Sequence, residues 1–345
     1  ASEIALIRSA DLASETDPAR ITFEMLPEGD VGLRAPAGGR TEELTFDALA
    51  DGRTLYGVAR SVMGRLLAWT SRDGGRHWVS APFATYALDG RPVRNPRGPA
   101  IMSKLPDGRF VLLHDNHGAK GFGNRNPYWL SAGIERDGMV VWSEPEILLY
   151  DRDPRARPGY ADIFVDPEDG ELFIIESDKT TARVHPIPRP WLETLYTQPT
   201  VSRLVADSPL LDLTAATAAQ AITMPILDAL DEPGTDGFTI ELGLRVEETG
   251  IPGSEREEPK GRRRRSLLDW RDESGKGGVV RRRGDALELR LSDGERVVTW
   301  RSDPGSIQGG TTHHATIHVD ARANLVHFVI DGRMNDGGSR KAGWT

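Results

Sequence analysis

The chain is 345 residues long, 38% hydrophobic and 28% charged, a globular rather than disordered composition whose length suits about two domains. No apolar run approaches the ~20 residues that cross a bilayer as a helix. With 52 acidic against 43 basic side chains, the net charge of -9 disfavours a general nucleic-acid binder, and the absence of cysteine excludes disulfide frameworks and thiolate metal sites.

Asp-Gly pairs punctuate the sequence at Asp51-Gly52, Asp73-Gly74, Asp89-Gly90, Asp107-Gly108, Asp137-Gly138, Asp169-Gly170, Asp236-Gly237, Asp293-Gly294 and Asp331-Gly332. Each supplies the positive φ that tight hairpins require. Between them lie runs with the β-branched and aromatic content of strands, among them Phe110 to His114, Glu171 to Glu176, Ala286 to Leu291 and Leu325 to Ile330. The fold class is therefore all-β. About four four-stranded units of propeller-blade length fit the first half, and a β-sandwich fits the second. After the Pro-rich stretch Pro186 to Pro190, the Ala-rich segment Ala215 to Ala221 and the turn-rich Asp231 to Gly237 read as a connector. The expected division is 1–205 for a partial propeller, 206–234 for the connector and 235–345 for a sandwich cut short at its C-terminus.

The most specific local motif is Ser71-Arg72-Asp73-Gly74-Gly75-Arg76-His77-Trp78. Its Asp carboxylate can accept turn N–H bonds, its glycines take the left-handed conformation, and its Trp fills space between sheets. Ser71, Asp73, Gly75 and Trp78 resemble the Asp-box of the sialidase-type propeller, a structural repeat placed away from the catalytic face. A degenerate echo runs from Glu135 through Asp137 to Trp142.

Three further stretches, covering roughly 30 to 185, resemble the exo-sialidase (neuraminidase) family. Glu42-Glu43 precedes the Asp51-Gly52 turn and Arg60-Ser61; Arg125 stands in Gly123 to Leu130, ahead of Trp142-Ser143-Glu144-Pro145; and Tyr160 stands in Gly159 to Ile163. The resemblance implies Tyr160 as nucleophile, Glu43 as its base, and Arg60 and Arg125 as two members of an arginine triad that clamps the substrate carboxylate. Arginine suits that task because its guanidinium binds carboxylates bidentately, and sialidases replace the usual carboxylate nucleophile with Tyr. Arg97 and Asp115 stand where strands run out toward loops and are candidate substrate contacts. Asp162 and Glu176 read as structural support.

The family's first arginine and its Asp general acid have no counterpart before Glu43. Arg34, Asp11, Asp17 and Asp30 lack the motifs that would support them. Together with a start at Ala1 that lacks Met and a signal-type segment, this implies a fragment cut at both ends and inactive by itself, from a secreted or cell-envelope protein. The expected activity is exo-cleavage of terminal sialic acid, or a related acidic sugar, from glycans with retention. The expected partners are sialylated or acidic glycans, with neither nucleic acid nor membrane insertion. A non-catalytic carbohydrate-binding protein and a hydrolase of another acidic sugar are the alternatives.

No cofactor and no metal are expected. Of the eight His residues, His314 and His318 share a strand face, yet no third ligand follows at a telling distance. The basic runs Lys260 to Arg265 and Arg281 to Arg283 read as a solvated loop and a strand edge, with contact to an acidic polysaccharide as the alternative. In the second half, Phe238 to Arg245, Leu267 to Trp270, His313 to Asp320 and Val326 to Gly332 resemble a laminin-G or concanavalin-like jelly roll.

Overall fold

The computed structural model describes residues 2–36, 39–81, 83–116, 126–151, 153, 156, 158–177, 181–200, 237–246, 266–321 and 325–335. These fall into two compact units, one reaching Thr200 and one beginning beyond it. Among the described residues no helix is long and apolar enough to cross a membrane.

The first unit opens with a two-stranded ribbon, β1 (Leu6–Arg8) and β2 (Glu24–Leu26). Three larger sheets follow. The first is a four-stranded antiparallel meander of β3 (Thr41–Ala48), β4 (Leu55–Ser61), β5 (Leu67–Ser71) and β6 (Val79–Ala81). The second contains β7 (Thr85–Tyr86), β8 (Ile101–Lys104), β9 (Phe110–His114), β10 (Tyr128–Arg136), β11 (Met139–Trp142) and β12 (Glu146–Leu149), in the order β7-β11-β10-β9-β8 with β12 also paired to β10. The third is β13 (Asp162–Val165), β14 (Leu172–Ser177) and β15 (Ala182–Ile187), followed by helix α1 (Arg189–Thr197). Among the described residues the unit thus holds one ribbon and three larger sheets of unequal size, not four equal four-stranded units.

Side-chain alternation explains how these sheets stack. Leu66 and Ala68 enter one core with Tyr56 and Val58, whereas Leu67 and Trp69 enter another with Ala59, Leu33 and Ala35. On β9, Phe110 and Leu112 join the core shared with the first sheet, while Val111 and Leu113 join the core shared with Leu172, Ile174 and Ile187 of the third. Every residue of β9 is buried. The second sheet is therefore covered on both faces, and the near-continuous apolar run of β9 is the sequence trace of that two-sided burial.

The helix was not legible as a helix, since Pro186, Pro188 and Pro190 mask its start. Pro190 stands in its first turn, where a missing N–H costs nothing, and Leu192, Leu195 and Tyr196 are buried against the second and third sheets. The Tyr196 hydroxyl donates to the Phe110 carbonyl at 2.8 Å.

The second unit comprises β16 (Gly237–Arg245), β17 (Ser266–Asp269), β18 (Gly277–Arg283), β19 (Ala286–Ser292), β20 (Val297–Arg301), β21 (Thr312–Asp320), β22 (Leu325–Ile330) and β23 (Arg333–Asn335). They form two four-stranded antiparallel sheets, β16-β21-β22-β23 and β17-β18-β19-β20. Ile240, Ala315, Ile317 and Phe328 of one sheet share a core with Val280, Leu287 and Leu289 of the other. The expected reading of Arg281 to Arg283 as a strand edge is corrected here. Strand β18 is central in its sheet, and Arg281 is buried because Glu288 faces it across the β18–β19 pair. The run Lys260 to Arg265 lies outside the described residues.

Strand β9 supplies a direct check on the stacking. Leu112→Ala and Leu113→Ala should each lower stability by about 2–5 kcal/mol in urea unfolding, because each empties a different core. A strand buried on one face would lose stability in only one of the two variants.

Candidate functional site

The three sheets of the first unit share one orientation. Strands β3 and β8 lie side by side and run the same way, joined by Met102 N to Thr45 Oγ1 at 3.1 Å and Lys104 Nζ to the Ala48 carbonyl at 2.7 Å. Arg183 at the start of β15 reaches Asp151, just beyond β12, at 3.7 Å. The first hairpin of each sheet closes on Asp51-Gly52, Asp107-Gly108 and Asp169-Gly170, with positive φ at all three glycines. These turns mark one edge of the stack. Glu42, Glu43, Arg60, Arg97, Asp115, Tyr160 and Glu176 all sit at strand ends remote from them, on the opposite edge.

The Asp-box residues form a closed turn after β5, on the edge that carries the Asp-Gly turns. Ser71 Oγ donates to Asp73 Oδ1 at 2.9 Å and accepts from Gly75 N at 2.9 Å, while Asp73 Oδ1 accepts from His77 N at 3.0 Å. These bonds, led by the His77 N–H, hold the Asp73 carboxyl well below the usual carboxylate range. Trp78 donates to the Gly75 carbonyl at 3.0 Å and meets Phe46 edge-on at 5.9 Å. The echo at Asp137 and Trp142 occupies the equivalent place in the second sheet, between its third and fourth meander strands. There it is a two-residue hairpin with Asp137 and Gly138 both at positive φ, and Trp142 is fully buried.

At the opposite edge a bulge in β3 brings two successive carboxylates to one arginine. Glu42 pairs with Arg60 and Leu44 with Ala59, so Glu43 is the extra residue, with φ 55°. A regular strand would send successive side chains to opposite faces. Here Glu43 Oε1 lies 2.6 Å and Glu42 Oε2 lies 3.3 Å from Arg60 Nη2. Arg60 is itself buried and also donates to the Arg97 carbonyl at 3.3 Å.

Arg97 completes the cluster. Its Nη2 and Nε meet Glu42 Oε1 and Oε2 at 2.6 and 3.2 Å, a bidentate pair. The Arg97 bond, reinforced by the Arg60 charge, holds the Glu42 carboxyl below its ordinary range against the opposing effect of burial. Arg97 has φ 77° and donates its own N–H to Asn95 Oδ1 at 3.0 Å. The next residue, Gly98, lies against Asp115; a Cβ added there would stand 1.6 Å from Asp115 Oδ2. Asp115 is thus seated beneath the Arg97 turn, and Arg97 and Asp115 belong to one edge with Glu43 and Arg60.

Tyr160 precedes β13 on the same edge, with φ 47° and a side chain about half exposed. Five non-glycine residues have positive φ among those described: Glu43, Arg97, Asp137, Tyr160 and Asp331. Asp137 and Asp331 occupy Asp-Gly hairpins, where that conformation is routine. The other three are all candidate site residues on the same edge. Arg125 lies outside the described residues.

Other sequence candidates fall to structural tasks. Asp11 accepts from Thr22 and Ser9, and Asp17 caps a short 3-10 turn through Ala19 N. Glu176 is buried and bonded to Arg183, and Asp162 accepts from the Ile163 N–H at 2.8 Å. His114 is fully buried between the Arg94 carbonyl and Ser131 Oγ, and burial lowers its pKa to about 4. His313 bonds to Asp331, Gln308 and Thr311, and no metal-binding cluster of carboxylates and histidines occurs among the described residues.

One carboxylate escaped the sequence reading. Burial, with Glu144 adding repulsion, raises the pKa of Glu146 to about 7; Glu144 is taken up by Arg91. The signal is the spacing of Glu144 and Glu146 around Pro145.

No family model and no curated protein matches the chain. Solved structures similar to it include the intramolecular trans-sialidase of Ruminococcus gnavus in complex with oseltamivir carboxylate, 19% identical over 49% of this chain with a TM-score of 0.34. The chain spans 36% of that protein's length. The sialidase of Trypanosoma rangeli in complex with DANA is 11% identical, covering 94% of this chain and 58% of its own, with a TM-score of 0.33. An alpha-L-arabinofuranosidase from Fusarium graminearum is 11% identical, covering 86% and 79% respectively, with a TM-score of 0.30.

Two variants test this geometry. Gly98→Ala should force Asp115 from its seat and destabilise the chain by about 1–3 kcal/mol in urea unfolding. Burial raises Glu146 to about 7 in the fold from the ordinary carboxyl value of 4.5, so the folded state binds more protons than the unfolded state between those pH values. Its contribution to stability therefore falls as pH rises through that window. Glu146→Gln should remove this loss, and the variant should gain stability over the parent at pH 8 but not at pH 4.5.

Proposed function

We propose that the edge carrying Glu43, Arg60, Arg97, Asp115 and Tyr160 is the active edge of a retaining glycoside hydrolase acting on an acidic sugar of the sialic acid type. The observation that carries this reading is the left-handed backbone at Glu43, Arg97 and Tyr160. Such conformations cost about 1–3 kcal/mol at non-glycine residues and collect where a side chain must be aimed rather than merely packed.

The chemistry follows from charge. A sugar that bears a carboxylate on its anomeric carbon repels a carboxylate nucleophile, so the Tyr160 hydroxyl attacks that carbon and passes its proton to Glu43. The bond from the anomeric carbon to the leaving group breaks as the Tyr160 bond forms. Water then cleaves the tyrosyl intermediate and restores the Tyr160 hydroxyl, with net retention. Arg60 and Arg125 clamp the substrate carboxylate, and Arg97 and Asp115 border the same space.

Glu42 and Glu43 balance Arg60 and Arg97 in the free site. Glu43, whose side chain is 40% exposed, meets Arg60 through a single oxygen. An incoming carboxylate takes that place on Arg60 and frees Glu43 to receive the tyrosine proton. Glu42, held at both oxygens by Arg97, stays in place and keeps Arg60 aimed. The proposal assigns no general acid among the described residues, so a substrate whose leaving group departs as a stable phenolate is the suitable probe.

The test is release of a fluorescent phenol from an aryl α-sialoside by the chain and by any longer polypeptide containing it. Tyr160→Phe should reduce turnover by about a thousandfold or more with folding unchanged. Arg60→Ala should chiefly raise KM. Binding of the sialoside without turnover by a folded, longer polypeptide would favour the non-catalytic carbohydrate-binding alternative. Turnover of an aryl uronide in place of the sialoside would move the assignment to another acidic sugar.

A further inference from the structure

The second unit carries an arginine cluster that the blade-edge site does not use. On the outward face of β17-β18-β19-β20, Glu288 is fully buried beneath three guanidinium groups. Arg281 Nε meets Glu288 Oε1 at 2.7 Å, Arg301 Nε meets Oε2 at 2.6 Å, and Arg283 Nη1 meets Oε2 at 3.2 Å. The register places Arg281, Glu288 and Arg301 in one cross-strand row, with Arg290 and Thr299 paired in the neighbouring row of the same face.

The charges do not balance. One carboxylate faces Arg281, Arg283 and Arg301; in the neighbouring row Arg290 shares the face with Asp269, whose charge is taken up by Arg271, so cations outnumber carboxylates there. Like charges gathered on a sheet face repel one another, and one guanidinium would suffice to satisfy one carboxylate bidentately. Glu288 therefore works as an anchor that holds several guanidiniums in fixed positions; Arg281 is buried with it, whereas Arg283 and Arg301 each carry more N–H donors than their bond to Glu288 uses. Arg283 and Arg301 remain 56% and 42% exposed.

We propose that this face binds an acidic polysaccharide through its carboxylate or sulfate groups. Sheet spacing sets the backbones of Arg281 and Arg301, two strands apart, about 10 Å from each other and those of Arg281 and Arg283 about 7 Å apart along β18, and a planar guanidinium fork matches both anions. The large rings of this sheet, Trp270 and Trp300, pack into the core instead, so the outward face has no stacking platform for nucleobases. This surface stands apart from the proposed hydrolase chemistry, and either assignment can fail alone.

The experiment is titration of the intact chain with a heparin fragment of about twenty sugars, as a sulfated and carboxylated probe, across a series of salt concentrations. The parent chain should bind with marked salt dependence. The combined variant Arg283→Ala, Arg290→Ala and Arg301→Ala should weaken binding about tenfold or more and flatten the salt dependence. Thr299→Glu leaves Glu288 all its partners and adds an anion to the Arg290 row, so it should weaken binding even if the triple variant fails to fold. The proposal is overturned if the parent chain does not bind, or if both variants bind as the parent does. It is overturned equally if single-stranded DNA of similar length competes as well as heparin. Loss of binding only on replacing Lys260 and Arg262 to Arg265 with Ala would assign the interaction to that run instead.

Discussion

The first unit depends on a sheet that is buried on both faces. Strand β9 contributes Phe110 and Leu112 to one core and Val111 and Leu113 to another, which welds three separate hairpin systems into one stack. A two-stranded hairpin on its own is marginally stable. Stacking resolves this, since each sheet supplies an apolar face to its neighbour. Within the stack β3 and β8 run the same way, so their strand ends fall on common edges. A shared edge for Glu43, Arg60, Arg97, Asp115 and Tyr160 is thus a result of core packing, established before any chemistry is considered.

The two edges of the stack then carry different duties. One holds Asp-Gly turns and the Asp-box, whose hydrogen bonds are satisfied within a few residues of sequence. The other holds residues whose partners are distant in sequence: Arg60 with Arg97, and Arg97 with Glu42. Local turns close one end cheaply and leave the other free for side chains brought from three sheets. The buried His114 and the paired Glu176 serve the scaffold of that second edge rather than its exposed surface.

Much of this was legible in the sequence. Asp-Gly pairs mark hairpins because their conformational preference is intrinsic, and β9, β14, β19 and β22 follow from runs of strand-forming residues. The Asp-box was legible for the same reason, since its bonds are local. Helix α1 was hidden because Pro186 and Pro188 precede it, Pro190 stands in its first turn, and its amphipathic stripe spans little more than two turns. Equal blades were expected because turn spacing says nothing about which strands pair, and β12 joins β10 through a long-range choice. Among the site residues, order along the chain singled out Glu43, Arg60 and Tyr160. The bulge that aims Glu43, the bidentate hold of Glu42 on Arg97 and the seat of Asp115 against Gly98 are tertiary facts with no local signature. The same holds for Arg281, whose burial is set by a glutamate across the sheet.

The bulge in β3 also changes what kind of sequence change the site can absorb. Because Glu42 already pairs with Arg60 and Leu44 with Ala59, the ladder on either side of Glu43 would be continuous without it. Glu43 is a supernumerary residue in a strand that is otherwise complete. A three-nucleotide deletion would leave a regular sheet and remove the carboxylate, and the matching insertion would create it. The paired carboxylates at Arg60 could accordingly be gained or lost by a change in length, with the cores untouched, in a way that substitution within a regular strand cannot achieve.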